Sequence, residues 1–146
     1  QFVRTAFSPA YILLENQPDG DTLLQSFSIL SQEHLELSKF LEPLDLCDGR
    51  WQRTDQWVVV LDCALAAELG LAPTMAGLPQ LSFPHCWHTI FRLANDQDAL
   101  AEACGALYAH LQEQGDQLSA PLYCDYLCSS TENGQLMDYY MLYAPV

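Results

Sequence analysis

The sequence predicts an α+β fold in which two β-α-β-β units stand side by side, their antiparallel sheet covered by two helices, with a central cleft between the units. Three observations carry this expectation. Hydrophobic patterning gives strand, helix, strand, strand, then a Pro/Gly-rich connection, then the same order again. Half of the 146 residues are hydrophobic and 11% are aromatic, enough for a packed core and too apolar for a disordered chain. The length suits one domain, with pseudo-repeat halves at about 1–78 and 79–146.

The elements follow in order. Phe2 to Leu14 is apolar and broken by Pro9, so its last part, Tyr11 to Leu14, reads as the first strand. Pro18 to Asp21 is a turn into a helix from Thr22 to Phe40, where Leu23, Leu24, Phe27 and Leu30 recur at helical spacing and Pro43 is the stop. Leu44 to Cys47 reads as a clipped strand. Trp57 to Leu61 is the clearest strand core, because three consecutive valines crowd χ1 in a helix. Ala64 to Leu71 allows two helical turns, and Pro73, Gly77, Pro79 and Pro84 argue against regular structure after them. Cys86 to Leu93 is a strand. Asp96 to Gln114 is the strongest helix, with Leu100, Cys104, Leu107 and Leu111 on one face and Gly115 as its stop. Pro121 to Cys128 and Leu136 to Tyr143 are the last strands, joined by the polar stretch Ser129 to Gly134.

Charge narrows the function classes. Five basic residues against nineteen acidic ones give a net charge of −14. That excludes unaided nucleic-acid binding, which needs Lys and Arg on phosphates, and electrostatic attachment to an anionic membrane. There is no apolar run of membrane-spanning length and no signal peptide, so a cytoplasmic protein with reduced, mostly buried cysteines is expected. Acidity of this size also suits a DNA mimic acting on a protein partner, or a surface that keeps a half-apolar domain in solution.

The C-terminal half carries a resemblance. Ala106 to Leu111, then Gly115, then Pro121-Leu122-Tyr123-Cys124-Asp125-Tyr126-Leu127, then Met141 to Val146 resemble the GyrI-like small-molecule-binding domain. The match covers about residues 85 to 146. It implies the doubled β-α-β-β fold and a ligand, apolar or cationic, held in an aromatic-lined cleft. It further implies a sensing domain of an AraC-type or MerR-type transcription regulator, reaching DNA only through a separate DNA-binding module. A start at Gln1 is what a domain cut from behind such a module would show. A standalone gyrase-inhibitor-like protein and a hydrolase of cyclopropane-bearing toxins are the alternatives. Where that family carries a glutamate in its third strand, this chain has Cys124, and neighbouring Asp125 faces the other way.

The expected ligand-binding residues are Trp57, Trp87, Phe91, Tyr108, Cys124, Tyr126 and Tyr140, because rings offer flat contact area and faces that attract cations. Strand alternation puts Leu122, Cys124, Tyr126 and Cys128 on one face, which the resemblance makes the cleft face. No metal is expected: Cys86 and His88 share a strand face that His85 does not, and no Cys-x2-Cys pair exists. No cofactor and no enzymatic activity are expected either. A Cys124–His88 or Cys124–His110 pairing would need positive charge to form a thiolate, and no Lys or Arg follows Arg92.

Overall fold

A computed structural model describes residues 1–16, 36–94 and 97–146. The helix expected over Thr22 to Phe40 lies outside the described residues except at its end, where Glu36 and Leu37 are helical and Lys39 and Phe40 already belong to a strand. The described elements are β1 (Val3–Glu15), β2 (Lys39–Cys47), β3 (Arg50–Arg53), β4 (Val58–Asp62), α1 (Cys63–Glu68), α2 (Ala72–Met75), β5 (Gln80–Leu93), α3 (Gln97–Glu113), β6 (Leu122–Glu132) and β7 (Gln135–Pro145).

The fold is α+β and mostly antiparallel sheet, and that sheet closes on itself. Within the first half β4 pairs with β1 and with β2; within the second, β7 pairs with β5 and with β6. Two further ladders join the halves, β1 with β5 and β2 with β6. The result is a six-stranded barrel, β2-β4-β1-β5-β7-β6, with no free edge around its waist. The expected open cleft between two units is therefore corrected to a barrel lumen, because hydrogen bonds seal both joins.

Four prolines expected to break regular structure sit inside strands or at a helix start. β1 runs through Pro9 and β5 through Pro84, and in both places the β1–β5 register shifts, between Phe7 and Ala10 on one side and between Phe83 and Cys86 on the other. A bulge leaves ladder positions unpaired, which is where a residue without an N–H can stand. Pro43 lies within β2 for the same reason. β3 and β4 pair with the same edge of β2 but two residues out of step, and the carbonyl of Pro43 accepts from Thr54 Oγ1 in the interruption, at 3.0 Å. Pro73 stands in the first turn of α2, where its missing N–H would be unpaired in any case.

β3 was not expected at all. It is the return arm of a two-residue hairpin whose turn, Asp48-Gly49, has φ of +51° and +77°. Both positive values match the turn that suits twisted strands. The same geometry at Asn133-Gly134 lets β6 and β7 extend through the stretch expected to be a loop. α3 ends as its sequence requires: Gly115 takes φ +79°, its N–H reaches Gln112 O at 3.0 Å, and the Asp116 N–H reaches Leu111 O at 3.0 Å.

Three buried clusters result. α3 lays Leu100, Cys104, Leu107 and Leu111 on the outer face of β5, β6 and β7, against Trp87, Leu122, Cys124 and Leu142. α1 and α2 cover Leu13, Leu14, Val59 and Leu61 on the opposite flank of the barrel. The third cluster fills the lumen with Phe7, Leu41, Val58, Val60, Cys86 and Tyr143. Among the described residues no helix is long and apolar enough to cross a membrane.

Candidate functional site

Which side chains enter the lumen follows from pairing. Cross-strand partners share a face, so Lys39 with Val60, Leu41 with Val58 and with Asp125, and His88 with Tyr143 all point the same way, inward. Rings line the wall in contact: Tyr123 lies 5.5 Å from Phe83, Phe83 5.8 Å from Phe7, Phe7 5.1 Å from Tyr143, and Tyr143 4.9 Å from His88. Leu41, Val58 and Cys86 fill part of the lumen. At one end a cavity of about 250 Å³ remains, bounded by Phe7, Lys39, Val60, His88, Met141 and Tyr143. That volume is just under the roughly 300–1,000 Å³ of sites for drug-sized ligands. A shallower apolar concavity of about 430 Å³, formed with Val3 and Ile90, shares His88 and Met141 with it.

The polar side chains that line the cavity are Ser8, Lys39, Asp62, His88 and Tyr143; Asp125 is not among them but pairs across the sheet with Met141, which is. Asp125 is only 5% exposed. Burial drives its carboxyl up to about 6, against the partial opposing pull of Lys39. The Lys39 ammonium lies 5.5 Å from the centre of the Phe7 ring and 6.0 Å from that of Tyr143, a cation held over two aromatic faces. Burial lowers the pKa of His88, Lys39 lowers it further, and a hydrogen bond to the Thr5 backbone opposes both. The Tyr143 hydroxyl is raised by burial and by the Asp125 charge. The lumen thus joins an aromatic wall, a buried acid, a neutral imidazole and a cation at the mouth.

The seven residues expected to bind ligand all lie outside the lumen. Trp87, Phe91, Cys124 and Tyr140 are on the face covered by α3, and Tyr108 is on α3 itself. Trp87 is 9% exposed and its indole N–H donates to Asp116 Oδ2 at 2.8 Å. Phe91 stacks on Tyr140 at 5.5 Å, and Tyr126 meets Tyr140 edge-on at 5.5 Å, so the structure does gather these three. The row already has a cation of its own. Arg53 stands over Tyr140 at 5.5 Å, donates to its hydroxyl at 3.3 Å and pairs with Glu42 at 3.1 Å. Tyr108 packs edge-on against Trp51, and Trp57 stacks on Phe40 on the far flank.

The face assignment of β6 is corrected accordingly. Alternation separated Cys124 from Asp125, but the side carrying Leu122 and Cys124 is the one under α3, and the side carrying Tyr123 and Asp125 is luminal. A single strand does not reveal which of its faces meets the helix; the pairing with Leu41 does. Cys124 is 2% exposed and burial pushes its thiol up to about 12, opposed by Arg53, so it remains a thiol at neutral pH. The lumen rings Phe7 and Phe83 escaped notice because they flank Pro9 and Pro84, in stretches that did not read as strand.

Outside the lumen, a groove of about 480 Å³ runs between the β2–β3 hairpin and α3, floored by Ala101 and Gly105 and spanned by the Arg50–Asp98 ion pair. All six cysteines are free thiols. Cys86, Cys104 and Cys124 are buried, Cys63 is half-buried, and Cys47 and Cys128 are exposed, so burial is less general than expected. Among the described residues no group of three or more His, Cys, Asp and Glu side chains could hold a metal ion. No family model matches the chain, and no curated protein matches it.

Proposed function

We propose that the chain is a small-molecule-binding domain whose ligand, an organic cation with an apolar body, enters the open end of the barrel lumen. The observation that carries this reading is a ring-lined cavity of about 250 Å³ with the Asp62 carboxylate in its wall, and, one strand beyond its wall residue Met141, Asp125, a carboxylate kept out of water against Leu41. An ionised buried acid is costly unless a cation neutralises it, and aromatic faces add to the same preference. Lys39 supplies a cation from the protein at the mouth, where a ligand cation would exchange with it.

The role we propose is that of the sensing half of a one-component transcription regulator, of the GyrI-like kind that the residues from 85 onward resemble. The matching strand order of the two halves supports the doubled unit that goes with that reading, strand pairing β1-β4-β2 in one and β5-β7-β6 in the other. The ligand would act by its differential affinity for two arrangements of the sensor against its DNA-binding module.

A thermal-shift screen of alkyl and aromatic ammonium compounds at pH 7.5, on wild type and Asp125→Asn, tests the binding reading. At a hundredfold excess over Kd, ligand linkage contributes about 2.7 kcal/mol, a readily measured rise in Tm. Cations that raise the wild-type Tm and leave Asp125→Asn unmoved support the site. A screen in which no cation shifts the wild type removes it.

A further inference from the structure

The four arginines each have a carboxylate partner: Arg4 with Asp116, Arg50 with Asp98, Arg53 with Glu42 and Arg92 with Glu132. Lys39, the remaining base, makes no ion pair among the described residues, although the chain has nineteen acids. Its charge is felt at the buried Asp125, but the two do not form a pair. Lys39 stands instead in the wall of the luminal cavity, its ammonium facing the Phe7 and Tyr143 rings. The carboxylate in that same wall is Asp62. Its Oδ1 accepts from the Leu65 N–H at 3.0 Å and so caps α1, while Oδ2 takes no hydrogen bond from the described residues. Register explains how the two come together. Lys39 pairs with Val60 across β2 and β4, and Asp62 follows two residues along β4, on the same face. Diagonal neighbours of this kind have Cα atoms about 7–8 Å apart. The cavity therefore presents a cation and an anion side by side, neither paired with the other.

Resting on the luminal cation site proposed above, we infer that its ligand is a zwitterion, an amino acid with an aromatic or branched aliphatic body. The ligand ammonium goes to Asp62 and the ring faces of Phe7 and Tyr143, the ligand carboxylate goes to Lys39, and the body lies against Val60 and Met141. A ligand that is only a cation shares the cavity with the Lys39 ammonium, and like charges repel. A carboxylate on the ligand turns that repulsion into a charge-assisted pair. The volume agrees, since about 250 Å³ falls short of sites for drug-sized molecules and suits a ligand of amino-acid size.

Isothermal titration at pH 7.5 with three probes of one body tests the inference: phenylalanine carries both charges, phenethylammonium lacks the carboxylate, and 3-phenylpropionate lacks the ammonium. Phenylalanine binds wild type about tenfold more tightly than either single-charge probe. Lys39→Met keeps the aliphatic stem and removes the charge, and with it the advantage of phenylalanine over phenethylammonium. Asp62→Asn keeps a residue that caps helices well and removes the advantage over 3-phenylpropionate. Phenethylammonium binding wild type at least as tightly as phenylalanine, or an advantage of phenylalanine that survives Lys39→Met, overturns the zwitterion and leaves the cation site standing. Tightest binding by 3-phenylpropionate, or no binding by any probe, overturns both. The three probes are ranked on wild type alone, so the ranking decides the matter even where a variant does not fold.

Discussion

Leu41 and Asp125 stand opposite each other where β2 meets β6, so the pair that closes the barrel also fixes a carboxylate in its lumen. Leu41 is fully buried, and on the other edge of β2 it faces Val58. One residue thus ties three strands in the packed part of the lumen. Leu41→Ala is expected to cost about 2–5 kcal/mol, the range for deleting a fully buried leucine. Urea unfolding followed by far-UV circular dichroism checks this, and a loss under 1 kcal/mol would show that the seam is not a structural joint.

Asp125 sets the sign of a pH effect. Its carboxyl is raised from 3.8 to about 6, chiefly by burial, with Lys39 of β2 pulling it down and Tyr143 of β7 feeling its charge. A raised carboxyl means that the folded state holds the proton more tightly than the unfolded one. Its contribution is fully present below about pH 4 and is lost as pH rises through about 6, the opposite of a salt-bridged acid. The loss is on the order of 2–3 kcal/mol. Comparison of wild type with Asp125→Asn at pH 4.5 and 7.5 isolates it, since other titrating groups are common to both. The variant should gain relative to wild type at the higher pH; an unchanged difference would place Asp125 in water.

Gly115 closes α3 in a left-handed conformation, and a Cβ there would meet nothing within 4 Å. The cost of Gly115→Ala is then backbone strain alone, about 1–2 kcal/mol. Thermal unfolding should register a fall in Tm with the same native spectrum.

The thiols divide by depth. In native buffer Cys47 and Cys128 should react promptly with a disulfide reagent, Cys63 more slowly, and Cys86, Cys104 and Cys124 only when the chain unfolds. Absorbance at successive urea concentrations counts them. Prompt reaction of Cys124 would contradict its place under α3.

Local chemistry was legible and closure was not. Three valines announced β4, and the face of Leu100, Cys104, Leu107 and Leu111 with Gly115 behind it announced α3. Those signals lie within a few residues of one another. Pro9, Pro43 and Pro84 read as breakers because their tolerance depends on bulges formed with another strand, which no single segment reveals. The Asp48-Gly49 turn was the available signal for β3. The site was hidden by the same non-local logic: alternation separated Cys124 from Asp125, and only the ladder to Leu41 shows which of the two looks inward.

The most direct test of a luminal cation site is a backbone-amide NMR titration of wild type with phenethylammonium at pH 7.5. The account predicts saturable shifts centred on Phe7, Lys39, His88, Asp125, Met141 and Tyr143, absent in Asp125→Asn. Shifts confined to Trp51, Tyr108 and the groove beside α3, with the luminal amides unmoved, would contradict it.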